Sequence, residues 1–180
     1  AVTYSPAMGY YLTYMGNQKA DPATGRMPDE NYAREILQLF TVGVVALQSD
    51  GEPVLENGKA VELYDNRDVT GLARVFTGLD LDGLDRQRFP SVADAVDEWE
   101  GLEQALLKPM AINDSLHSSD AKRFLDCDIP TGTPTAESID LALDCIMAHP
   151  NVGPFVSRQL IQRFTTSNPD PDYVQRVASA

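Results

Sequence analysis

A mainly α-helical domain with one small inserted β-hairpin is the fold class this sequence predicts. Three observations predict it. Apolar residues recur at helical spacing between Pro28 and Gly43, the last third carries repeated proline-led helix starts, and one Asn57-Gly58 turn lies between short apolar runs. Taking the elements in order, Ser5-Pro6 starts a short Tyr-rich helix that reaches about Met15 and ends at Gly16-Asn17. Residues 18–27, with Asp21-Pro22 and Gly25, read as a surface loop. Pro28 then opens a helix over 28–42, with Asp29 and Glu30 complementing its dipole and Tyr32, Ile36, Leu39, Phe40 and Gly43 forming its apolar stripe.

Ser49-Asp50-Gly51 is a turn, and Asn57-Gly58 between Val54-Leu55 and Val61-Leu63 is a hairpin of the type I′ kind. Asp65 and Asp68 form a capping-box pattern ahead of a helix carrying Val69, Leu72, Ala73 and Phe76, which Gly78 can close. Residues 79–90 are acidic and turn-rich, hence loop. Ser91 to Leu107 has helical spacing interrupted by Gly101, and Lys108 to Asp114 reads as one extended strand. Thr133-Pro134 starts a helix through Ile139, Leu143, Ile146 and Met147 that stops at His149-Pro150; Asn151 starts another through Phe155, Val156, Leu160 and Phe164, and Asp170-Pro171 a third. Residues 1–180 are expected to form a single helical domain. The absence of an initial Met and the helical pattern still running at Tyr173 to Ala178 suggest a fragment of a longer protein.

Composition narrows the partners. With 14 Lys+Arg against 27 Asp+Glu, the formal charge of −13 disfavours nucleic acid and anionic membrane surfaces. A 43% hydrophobic content is enough for a buried core. The most apolar stretch, Leu39 to Leu47, falls well short of the ~20 residues of a spanning helix. Cys127 and Cys145 match no zinc or C-x-x-C spacing; they are either two small, partly buried thiols or one disulfide closing the loop between them.

The chemistry-bearing residues concentrate on the helix from Pro28. At 100° per residue, Glu30, Asn31, Arg34, Glu35, Gln38 and Thr41 share the face opposite the apolar stripe. Glu30 and Arg34 stand at i,i+4, which makes a solvated salt-bridged surface one reading. In the other, Glu35 and Asn31 face a partly closed pocket where a carboxylate serves as general base or metal ligand. Asp114, His117 and Asp120 are spaced so that they either gather a divalent metal on one side of a turn or simply cap a loop. His149 reads as a cation at a helix C-terminus, and Asp80, Asp82 and Asp85 around Gly83 match a calcium loop only loosely. G-x-S-x-G, H-E-x-x-H, Walker and dinucleotide fingerprints are all missing from the sequence, and no cofactor is identified.

The run Pro28-Asp29-Glu30-Asn31-Tyr32-Ala33-Arg34-Glu35-Ile36-Leu37-Gln38-Leu39-Phe40-Thr41-Val42-Gly43 closely resembles the signature of the bacterial domain of unknown function 1800 family. Tyr64 to Val69 and Ala73 to Gly78 are similar to its second block. His117 with Lys122 to Leu125 is similar to its third, and His149-Pro150-Asn151 with Phe155, Arg158 to Leu160 and Arg163-Phe164 to its last. Ser118, Asp126 and Leu79 stand where many relatives carry Asp, Gly and Trp. The resemblance implies a mostly helical bacterial protein, often exported to the periplasm or cell surface, frequently encoded beside another exported protein, and with no established reaction.

Three functional readings follow. In the first, the chain is a structural or interaction module that acts with an exported partner, Glu30, Arg34 and Glu35 pinning the hairpin and neighbouring helices. In the second it is an enzyme of hydrolytic or metal-assisted class using Glu35, Asn31 and His117. In the third, its net charge suits it to bind a small polar or cationic ligand.

Overall fold

Local capping sets where the first helices begin in this computed structural model, which describes residues 2–96 and 98–180. Ser5 and Pro6 open α1 (Pro6–Tyr11) as expected, although it ends before Met15. Asn17 decides where the next helix starts. Its Oδ1 accepts the Asp29 amide at 2.9 Å and its Nδ2 donates to the Asp29 carbonyl at 3.3 Å, so Pro28 and Asp29 stay outside α2 (Asn31–Glu35).

From Ile36–Thr41 the same helix continues as a π-helix. The Val42 amide reaches back to the Leu37 carbonyl at 3.1 Å, and the Thr41 hydroxyl donates to the Ile36 carbonyl at 2.5 Å. A wider turn rotates every later side chain away from the position a 3.6-residue period would give it. Leu37, Thr41 and Val42 are therefore buried, whereas Leu39 and Phe40, expected on the buried stripe, are 51% and 45% exposed.

Asn57 and Gly58 both take positive φ, 52° and 75°, at the tip of the expected hairpin, which pairs β1 (Leu55–Glu56) with β2 (Lys59–Ala60). Bridges from Val45 to Glu62 and from Leu47 to Pro53 lay residues 44–48 against this ribbon. The Asp65/Asp68 capping box forms and opens α3 (Asn66–Ala73). At the centre of the core, Tyr14 stacks on Tyr32 with ring centroids 4.1 Å apart, and Phe76 meets Tyr32 edge-on at 4.6 Å. Leu37, Leu72, Ile139 and Ile146 pack around these rings.

The expected fold class does not hold. The chain is 40% helical and 11% strand, with eight helices and three small two-stranded antiparallel sheets among the described residues. Within the segment expected to be loop, β3 (Leu79–Asp80) pairs with β4 (Ala111–Ile112), all that forms of the strand expected over 108–114. A second hairpin, β5 (Lys122–Phe124) with β6 (Cys127–Ile129), has no counterpart in the sequence reading. β5 and β6 each bury their end residues and expose the middle one, but three residues are too few for that alternation to signal a strand in sequence, and the β5–β6 turn uses Leu125 at φ 49° where Gly or Asn would have signalled it. A tertiary contact holds the turn instead, the Leu125 amide donating to Asp68 Oδ1 at 2.6 Å.

The helix expected over 91–107 is two short ones, α4 (Val92–Ala95) and α5 (Leu102–Leu106); Ala1 and Asp97 lie outside the described residues. With Leu81, α5 builds a small second apolar cluster. α6 (Thr135–Met147), α7 (Val152–Phe164) and α8 (Pro171–Ala178) follow the sequence reading. Cys127 and Cys145 are joined, tying β6 to α6 with their Cα atoms 6.2 Å apart. Among the described residues no helix is long and apolar enough to cross a membrane.

Candidate functional site

The polar face of α2 serves mainly to hold α3. Glu30 and Arg34 make the i,i+4 pair at 3.2 Å, and both reach across: Glu30 Oε1 lies 2.7 Å from the Thr70 hydroxyl, and Arg34 Nη2 donates to Asn66 Oδ1 at 3.2 Å. This face therefore pins one neighbouring helix, α3, and among the described residues none of the Glu30 or Arg34 hydrogen bonds reaches the hairpin. Asn31 donates from Nδ2 to Thr13 Oγ1 at 3.4 Å. Glu35 Oε2 and the Tyr64 hydroxyl are buried without a hydrogen-bond partner among the described residues. Burial pushes the Tyr64 phenol up, against the pull of the Arg34 guanidinium and with the Glu35 carboxylate adding to it.

His117 shares no hydrogen bond with Asn31 or Glu35. It is buried, its Nδ1 lies 2.8 Å from the Thr77 carbonyl, and its Nε2 lies 3.2 Å from Ser138 Oγ. A carbonyl only accepts, so Nδ1 carries the proton and Nε2 of the neutral ring is an acceptor, which shares the single Ser138 hydroxyl hydrogen with the Thr133 carbonyl, also 3.2 Å from Ser138 Oγ. Desolvation lowers its pKa, opposed by the Thr77 carbonyl; Lys122 lowers it further and Asp114 raises it. The Asp114 carboxylate is committed elsewhere, Oδ1 accepting the Thr135 amide at 2.9 Å and hydroxyl at 2.6 Å at the start of α6. Asp120 contributes backbone contacts to Ser118 and Lys122. Among the described residues no three His, Cys, Asp or Glu side chains group to hold a metal. Both oxygens of Asp80 bind Arg86 at 2.6 Å, which leaves the loose calcium pattern without its first carboxylate. His149 is an acceptor rather than a cation: its Nδ1 takes the Asn151 amide at 3.1 Å, and desolvation lowers its pKa.

An open apolar concavity lies where the π-helical segment meets α7. About 690 Å³ in volume, it is walled by Leu39, Phe40, Val44 and Leu47 on one side and Phe155 and Arg158 on the other. Two residues build it. Gly43 has φ +75°, and a Cβ there would lie 2.6 Å from the Phe155 ring, so only glycine lets the chain turn against α7. Asn151 is buried and clamps the segment that follows: Oδ1 accepts the Leu47 amide at 3.0 Å, and Nδ2 donates to the Val42 and Val45 carbonyls at 3.0 and 2.7 Å. Gln38, Gln159 and Gln162 also line the groove, and Arg158 is its one charged lining residue among the described residues.

A sequence profile of the family described as Protein of unknown function (DUF1800) matches residues 1–180, the whole chain. The chain belongs to this family. No curated protein and no solved structure matches it. The sequence blocks that carry the DUF1800 resemblance meet one another in the fold. The end of the first block and the last block form the groove, through Leu39, Phe40 and Gly43 on one side and Asn151, Phe155 and Arg158 on the other. The second and third blocks meet where Asp68 accepts the Leu125 amide and the Thr77 carbonyl lies against the His117 ring. Asn151 reads in sequence as a helix start, and its actual role has no local signal because its three partners lie over 100 residues away.

Proposed function

We propose that this DUF1800 chain is an interaction module whose groove receives an extended segment of a second exported protein, two bulky apolar side chains of that segment flanking a carboxylate. The observation that carries this reading is the exposure of Leu39 and Phe40, which the π-turn directs out of the core and into an open apolar groove. Leaving such side chains in water is unfavourable by about 25 cal/mol per Å² of apolar surface, and a docked segment relieves it. The glutamines beside the groove suit main-chain amides, and Arg158, whose Nη1 donates to the Gly51 carbonyl at 3.1 Å and meets the Glu52 carboxylate only at 4.0 Å, keeps donors that suit one carboxylate. The charge of −13 supports a protein partner over nucleic acid.

The Cys127–Cys145 disulfide supports an oxidising compartment, the periplasm or cell surface. The test is co-expression with the exported protein encoded beside it, followed by size-exclusion chromatography. Co-elution that is lost in Leu39→Ser/Phe40→Ser supports docking in the groove; co-elution unchanged by that pair, or no co-elution with the parent, overturns it.

A further inference from the structure

We propose that the cleft between α3 and β5 is an oxyanion site that takes the phosphate or sulfate group of a larger polar molecule. In a chain with 27 acidic and 14 basic side chains, a concave surface lined without carboxylates runs against composition. Yet a cavity of about 750 Å³ is lined there by the guanidinium-bearing Arg67, Arg74 and Arg123, with Asn66 and Thr70 and, among the described residues, no acidic residue. Arg67, Thr70, Gly71 and Arg74 follow i, i+3, i+4, i+7 spacing and so form one stripe along α3 and its C-cap. Gly71 brings β5 to that stripe, since a Cβ there would overlap the Arg123 carbonyl oxygen.

Arg74 carries the argument. It is half-buried and donates from Nη1 to the Ala121 carbonyl at 3.0 Å, and among the described residues it has no carboxylate at ion-pair distance. A guanidinium has five N–H donors, so Arg74 keeps donors to spend on an anion, and a partly desolvated cation gains most from one. Arg67 donates from Nε and Nη2 to Asp65 Oδ2 at 2.9 and 2.6 Å, and Arg123 pairs with Asp128 at 3.3 Å; both pairs lie in water, which screens them, so an anion in the cleft competes with each carboxylate for its arginine. Lys122, whose Nζ donates to the Ser118 and Asp120 carbonyls, adds positive potential behind the cleft. A planar carboxylate is served by one bidentate arginine; three guanidinium groups from two elements match the three free oxygens of a phosphate or sulfate ester better. The volume exceeds that of the bare ion, which points to an ester on a body such as a sugar.

Isothermal titration of the purified chain tests this, at ionic strength held constant with chloride and with four probes: inorganic phosphate, inorganic sulfate, glucose 6-phosphate and glucose 6-sulfate. The expected result is saturable one-site binding of at least one sugar ester, tighter than that of its inorganic ion. Arg74→Gln should weaken it at least ~tenfold. The double variant Arg67→Gln/Arg123→Gln, which alters only exposed side chains, should weaken it with an unchanged thermal midpoint, and it decides the question if Arg74→Gln does not fold. Whichever ester binds distinguishes phosphate from sulfate. Absence of saturable binding for all four probes, or equal binding by parent and double variant, overturns the proposal.

Discussion

The apolar groove and the arginine cleft are both concave, and they arise in opposite ways. The cleft comes from a helix that keeps its period, so residues at i, i+3, i+4 and i+7 of α3 line one wall and a glycine in that stripe admits β5. The groove comes from a helix that loses its period, so Leu39 and Phe40 emerge where a regular helix would have buried them. A periodic site is written in local sequence, whereas one made by a break in periodicity depends on what the break packs against.

Breaking the groove's clamp should have the largest effect. Asn151→Ala leaves the Leu47 amide and the Val42 and Val45 carbonyls without their buried partner, and should cost about 4 kcal/mol in urea unfolding. If the groove and cleft are independent, oxyanion binding by the folded fraction should be unchanged. Gly43→Ala should cost about 3 kcal/mol, combining backbone strain at φ +75° with a clash against the Phe155 ring. Differential scanning calorimetry reads this, and a cost below about 1 kcal/mol would show that the Gly43 turn is not needed to form the groove.

A smaller effect lies at His117, which joins Thr77 to Ser138. Burial lowers its pKa in the folded state, as it does for His149, so the folded chain binds fewer protons than the unfolded one. The associated stability is fully present above the unfolded value near 6.5 and is lost as pH falls through it toward the folded value. Unfolding free energy should therefore decline between about pH 7.5 and 5.5, and His117→Gln should flatten that decline, leaving the share due to His149. An unaltered slope would mean that the ring is not held neutral. Smallest of all should be the stability change in Leu39→Ser/Phe40→Ser, within about 0.5 kcal/mol of the parent, because both side chains are already about half exposed. That same pair should abolish partner co-elution, so stability and binding separate at the groove.

The site was only partly legible in sequence. The shared polar face of Glu30, Arg34 and Glu35 could be read, and the Glu30–Arg34 pair follows from i,i+4 spacing, but the attachment of that face to α3 through Thr70 and Asn66 could not. The catalytic reading joined Asn31, Glu35 and His117 across distant segments. In the fold, Asn31 bonds Thr13 and His117 bonds Thr77 and Ser138, with no shared partner.

Sequence by itself determined the capping box at Asp65 and Asp68, the Asn57-Gly58 hairpin and the helices of the last third, because caps, turns and proline starts act within a few residues. Tertiary structure alone decided the two further strand pairs, the disulfide between Cys127 and Cys145 and the π-turn that exposes Leu39 and Phe40. Strands of two or three residues and a widened helical turn have too little intrinsic preference to declare themselves. They persist because partners far along the chain, Asp68 for the β5–β6 turn and Asn151 for residues 42–47, supply the hydrogen bonds that local sequence does not.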